Sequence, residues 1–170
     1  LLEDHYSFEA WRGYGAGEPG YSPEMWARYA ELGLLGLPFP EARGGFGGGP
    51  VETMIVMAAF GGALIREPYF ATVILSGGLL RQLPGDLADD MIARIAQGRL
   101  RLATAISEPQ SRYDLADVAT TARQEGGTWR LSGRKALVLH GDSAEALLVP
   151  ARIAGGQRDP EGIALFLVEA

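Results

Sequence analysis

Apolar residues follow two different spacings along this chain, helical as far as about Leu100 and strand-like after it. Ser22-Pro23-Glu24 is a helix start: the hydroxyl accepts from an orphan amide, proline fills a first-turn position that needs no donor, and the carboxylate faces the positive helix end. Gly33 supplies the stop. The run from Val51 to Leu64 follows Gly49-Pro50 and is apolar on nearly every side, which predicts a helix enclosed by others. A further apolar segment, Phe70 to Leu80, follows Pro68. Asp86 opens a fourth helix, with Leu87, Met91 and Ile95 on one face, Asp90 and Arg94 at ion-pair spacing, and Gly98 at its end.

Beyond Leu100, β-branched residues and threonines become more frequent, and short runs alternate with turn residues. Leu102–Ser107, Asp117–Gln124, Thr128–Leu131, Lys135–Leu139, Ala146–Ala151 and Ile163–Val168 are the candidate strands, the second and third joined by a hairpin turn at Glu125-Gly126-Gly127. The expected fold class is α+β: an all-α helical domain over residues 1–100, then an antiparallel β-sandwich or barrel over 101–170. The chain stops on an apolar strand with no element to close the sheet, the pattern of a fragment.

Composition narrows the function classes. The chain of 170 residues has no cysteine, which removes disulfides, thiolate zinc or iron–sulfur ligation and a thiolate nucleophile, and which fits a cytoplasmic location. A formal charge of −6 opposes nonspecific nucleic-acid binding. Charged residues, prolines and glycines cut every apolar run well short of the ~20 residues of a membrane span.

Local motifs are mostly turn chemistry. Gly15-Ala16-Gly17-Glu18-Pro19-Gly20 has the letters G-x-G-x-x-G but no strand before it, and reads as a connection. The glycines from Gly44 to Gly49 lack the Lys-Ser/Thr of a phosphate loop and read as a close inter-helix crossing. The two histidines, His5 and His140, lie in different halves with no metal-binding spacing, so no metal site is expected. Ser107-Glu108-Pro109 is the more promising feature. A proline at a strand end frees backbone donors beside a hydroxyl, which spacing alone reads first as an end satisfied by water and, as the alternative, as a ledge for a ligand.

The ordered blocks WARYAELGLLGLPFP (Trp26–Pro40), GGFGG, the Asp86–Gly98 helix, ATAISEP and WRLSGRKALVLHGDSAEALLVPAR resemble the acyl-CoA dehydrogenase family along essentially the whole chain. Within it, GGFGGGPVETMIVM, EPQSRYDLADVAT and LHGDSA are similar to the branch of pimeloyl-CoA dehydrogenase small subunits. The resemblance implies a helical domain, a β domain and a C-terminal four-helix bundle, of which only the first two are represented, with FAD between the last two. The implied reaction is α,β-dehydrogenation of an acyl-CoA to the trans-2-enoyl-CoA. Its glutamate base belongs to the bundle, so no catalytic residue is assigned here. Implied partners are the acyl-CoA, a homologous large subunit or further copies of the chain, and an electron-accepting protein.

By the same resemblance Thr104, Ile106 and Ser107 match the strand end that hydrogen-bonds the flavin pyrimidine edge. Leu137, Val138 and Leu139 occupy the second flavin contact, after Gly133-Arg134-Lys135, without the usual ring and hydroxyl. A small-residue loop of the family reads Gln110-Ser111-Arg112-Tyr113-Asp114 here. Arg112, Tyr113 and His140 are the substrate-side candidates, with Arg112 or His140 expected to pair with a second carboxylate on a dicarboxylyl substrate. The alternative for Arg112 is a surface or interface ion pair. The alternative for the whole chain is a non-catalytic structural subunit of a heteromeric dehydrogenase.

Overall fold

The computed structural model describes residues 1–170, with helices in one unit, Leu1–Arg101, and strands in a second, Leu102–Ala170. The helical elements are α1 (Leu2–His5), α2 (Phe8–Ala16), α3 (Pro23–Glu31), a short 3₁₀ turn (Glu41–Arg43), α4 (Pro50–Ala63), a π-wound stretch (Phe70–Ser76) that runs into α5 (Gly77–Leu80), and α6 (Asp86–Ala96). None is long and apolar enough to cross a membrane.

Helix α3 begins and ends as its sequence dictates. The Ser22 hydroxyl accepts from the Met25 amide at 3.2 Å. Gly33, at φ 74°, ends the helix while the Leu34 amide reaches back to the Tyr29 carbonyl at 2.9 Å, the paired closure that only a left-handed residue permits cheaply. Helix α6 closes the same way at Gly98. Its buried face is Ala88, Met91, Ile92 and Ile95, and Leu87 is 65% exposed, so the apolar stripe lies one position away from the one the spacing suggested. Asp90 and Arg94 do pair, at 3.6 Å on the surface.

The unit's core is formed by Met25, Tyr29, Leu35, Phe39, Tyr69, Ile92 and Ile95. Each fully buried side chain of this size contributes about 1.5–3 kcal/mol. Glu67 is buried among them and accepts from the Tyr6 hydroxyl at 2.5 Å, the Tyr29 hydroxyl at 3.4 Å and the Ser22 amide at 3.1 Å.

Several local expectations are corrected. Helix α4 is not enclosed: of its residues only Phe60 is buried, while Val51, Met54 and Ile55 are 59%, 62% and 60% exposed. Hydrophobic content says that a surface needs covering, not which element covers it. The Phe70–Leu80 segment is helical but starts with π winding, in which the Ser76 hydroxyl donates to the Ala71 carbonyl at 2.9 Å. The stretch Gly44–Gly49 runs back along residues 36–39 through Phe46 to Gly36, Gly47 to Phe39 and Gly48 to Leu37, a chain laid on a turn instead of a helix crossing. Helix α2 extends through Gly15 to Ala16, so the first glycine motif starts inside a helix.

Five strands form one mixed sheet: β1 (Leu102–Thr104), β2 (Thr121–Glu125), β3 (Thr128–Ser132), β4 (Ala146–Arg152) and β5 (Ile163–Glu169). Strand β4 is central. β5 pairs antiparallel along one edge over its whole length, while β1 and then β2 pair parallel along the other, at 146–148 and at 152. The Leu148 carbonyl and the Arg152 amide both face that second edge, so Pro150 between them directs its missing donor to the gap where β1 ends and β2 begins. The hairpin β2–β3 forms as expected, with Gly126 and Gly127 at φ 59° and 86°. The parallel pairings could not be read from strand-sized runs, which carry no information about direction. Lys135–Leu139 is not a strand, because Leu137 adopts φ 52° and breaks the extended backbone.

Candidate functional site

The end of β1 and the loops after it hold most of the residues the sequence singled out. Thr104 is the last residue of β1 and is buried. The Ala105 amide still donates to the Leu148 carbonyl at 2.8 Å, and the ladder then stops. Ile106 and Ser107 are half-buried, and neither amide, nor the Ser107 hydroxyl, has a partner within the protein. Partly buried donors without acceptors are costly unless a ligand or water meets them. Three such donors are adjacent here.

Glu108 and Pro109 turn the chain away, and the Ser111 hydroxyl closes that turn by accepting from the Glu108 amide at 3.0 Å. Glu108 is the hub of the region. Its carboxylate accepts from Lys135 Nζ at 2.7 Å, Gln110 Nε2 at 2.8 Å, and the Ala119 and Thr120 amides at 2.8 and 3.1 Å. Burial alone would raise this carboxyl, but the bonds from Lys135, Gln110, Thr120 and Ala119 prevail and hold it at about 2. Gln110 continues to Asp117, which also accepts from Gln157 at 2.6 Å and Arg158 at 3.0 Å. Those bonds, the one from Gln157 first, lower the Asp117 carboxyl. Buried Arg152 donates to six backbone carbonyls, those of Ala116, Val118, Ala154, Gln157, Asp159 and Glu161, and so ties both flanking loops to β4.

The second candidate segment lies against the first. The Ala136 amide donates to the Ser107 carbonyl at 2.9 Å, next to the Lys135–Glu108 ion pair. Just ahead of it, Gly133 packs against Thr120, whose side chain a Cβ there would overlap. Beyond Ala136, Leu137 is 90% exposed and Leu139 is 52% exposed, with Val138 half-buried between them. Leu137, His140 and Arg112 are three of the four non-glycine residues with positive φ, at 52°, 54° and 46°. Backbone strain of this kind is held in place only by the surrounding structure, and it clusters at ligand sites. His140 is half-buried, and burial pushes its imidazole below the ordinary value, with Asp142 opposing. Arg112 and Tyr113 turn outward, Tyr113 being 99% exposed.

The structure thus joins Ser107 directly to the segment that leads into Leu137, and places Arg112 and Tyr113 on the turn that follows Glu108. No bond connects His140 to either. Sequence reasoning passed over Glu108 and Lys135 as a pair, as it did Arg152. The signal available was only a Glu-Pro doublet and a Gly-x-Lys triplet, with Glu108 and Lys135 27 residues apart.

Residues 7–81 match the acyl-CoA dehydrogenase N-terminal domain and residues 103–170 the acyl-CoA dehydrogenase middle domain. The chain belongs to the acyl-CoA dehydrogenase family. It is 35% identical over 159 residues to the acyl-CoA dehydrogenase FadE12 of Mycobacterium tuberculosis, covering 87% of this chain and 39% of that protein. Among solved structures it is similar to the Tcur3481–Tcur3483 steroid acyl-CoA dehydrogenase G363A variant, with TM-score 0.84, 30% identity, and coverage of 99% of this chain and 44% of that one. It is also similar to a chain of the ChsE4–ChsE5 complex from Mycobacterium tuberculosis, with TM-score 0.83, 27% identity, and coverage of 99% and 43%. The acyl-CoA dehydrogenase portion seen here therefore spans about two fifths of the length of such relatives.

Proposed function

We propose that this chain is part of a flavin-dependent acyl-CoA dehydrogenase that converts an acyl-CoA to its trans-2-enoyl-CoA, and that it holds one edge of the flavin. One observation carries the reading: three adjacent unpartnered donors, the Ile106 and Ser107 amides and the Ser107 hydroxyl, at a half-buried strand end fastened on both sides. The fit to FAD is chemical. The pyrimidine edge of a flavin presents acceptors and gains negative charge there on reduction, and fixed donors stabilise that charge without reorganising. Bound FAD would supply the two-electron acceptor for the hydride leaving Cβ. Ser107 and Ile106 hold the ring edge, Leu137, Val138 and Leu139 offer it apolar surface, and Thr104 supports the ledge from within β1. The base that takes the α-proton is assigned to no residue of this chain.

A dicarboxylyl-CoA such as pimeloyl-CoA is the proposed substrate. Arg112, on the turn that follows Glu108, and His140, five residues beyond Lys135, both with left-handed backbone, are the proposed partners of its second carboxylate, and Tyr113 lies on the same turn as Arg112. The electron acceptor is proposed to be a separate protein, and the compartment cytoplasmic.

A second reading, a structural subunit whose homologous partner carries the working flavin, is favoured by Leu137-Val138-Leu139, which lacks the expected ring and hydroxyl, and by the two-protein complexes among the similar structures. Flavin absorbance and stoichiometry of the purified complex separate the two. One flavin for each copy of this chain, bleached anaerobically by a dicarboxylyl-CoA, supports the first reading. Flavin only on the partner, with no loss of binding in Ser107→Ala, overturns it.

A further inference from the structure

The flavin reading needs Ile106 and Ser107 to stay fixed relative to Leu137–Leu139, although these segments are about thirty residues apart in sequence and share no strand pairing. Two links join them. One is the Ala136 amide to the Ser107 carbonyl, at 2.9 Å. The other is the ion pair between Lys135 and Glu108, at 2.7 Å, in which the side chains are 10% and 2% exposed.

We propose that Glu108 and Lys135 are positioning residues, a buried latch that sets the flavin-binding ledge against the left-handed 137–140 segment. The proposal rests on the flavin reading for its purpose and on geometry for its existence. Ser107 is bracketed by anchors. Ahead of it, the Ala105 amide is tied to Leu148; behind it, the Glu108 carboxylate takes four donors from three separate stretches, Gln110, Ala119–Thr120 and Lys135. Of those four only Lys135 belongs to the second candidate segment. Without its ammonium, Glu108 keeps three neutral donors on its own side, and the 135–140 segment keeps only the single bond from Ala136. The latch should therefore be separable from folding. A buried charge pair whose net contribution to stability is small can still select one arrangement over others.

The test uses the intact protein and its partner subunit, if it has one. Lys135→Met, Glu108→Gln and the double variant are compared with the wild type by hydrogen–deuterium exchange without flavin and by titration with FAD. In Lys135→Met, exchange of the hydrogen-bonded Glu108 and Ala136 amides is expected to rise at least tenfold while β4 and β5 stay protected. FAD affinity is expected to fall at least tenfold, with a displaced visible flavin band. The double variant is expected to lose no more affinity than Lys135→Met alone, because the two residues act as one unit. Unchanged exchange at both amides overturns the latch, as does raised exchange with unaltered FAD affinity and spectrum. If the wild type takes up no FAD, the functional reading fails, and exchange alone decides whether the latch orders the ledge.

Discussion

Glu108 shows how much one buried side chain organises. It lies four residues beyond the end of β1, yet its carboxylate bonds to four other positions and is held at about 2 against an ordinary value of 4.5. A carboxyl lowered on folding stabilises the native state fully above its unfolded value, and that contribution is lost as the pH falls toward the folded one. The melting temperature should accordingly drop between pH 4.5 and pH 2, and in Glu108→Gln the drop over that window should be much smaller when followed by circular dichroism. A wild-type drop retained in full by the variant would assign the pH dependence to other carboxylates. Ser107 was legible in the sequence because a proline two residues on marks the end of a ladder. Its tie to Ala136 was not, since contact between distant segments leaves no local spacing.

Among the elements, those closed by local chemistry were the legible ones. Helix α3 has its cap and first-turn proline side by side and its terminal glycine two residues past its last turn, and all three act as expected. Ser22→Ala should cost about 1 kcal/mol. A urea midpoint lowered by the corresponding amount, with an unchanged slope, is the expected measurement, and an unshifted midpoint would mean that the hydroxyl contributes nothing beyond solvent. Lys135–Leu139 is the opposite case. Its residue types suit a strand, but Leu137 takes a left-handed φ immediately after Ala136, whose amide is tied to Ser107. Propensity records what a segment tolerates, whereas pairing depends on which neighbour is available.

For the molecule as a whole, the exposed apolar surface has consequences. Val51, Met54 and Ile55 lie on successive turns of α4 and are mostly exposed, and Leu137 and Tyr113 stand out from the β unit. The 170-residue chain should self-associate, because contiguous apolar area of this kind is seldom left in water. Replacing Met54 by Glu and Ile55 by Lys should reduce the association seen by light scattering. Stability should change by only about 0.5 kcal/mol, as for other exposed sites. An equally associated variant would place the sticky surface elsewhere, with the β unit next to be examined.

The sequence alone determined where helices give way to strands, where α3 and α6 stop, and that a strand end followed by Glu-Pro offers donors. Each of these is written in residues close together on the chain, through period, caps and a missing amide. Tertiary structure decided the direction of β1 against β4, the exposure of α4, the bend at Leu137 and the meeting of Glu108 with Lys135. Those depend on contacts across tens of residues, where burial and charge pairing select one partner among many that the chain would equally permit.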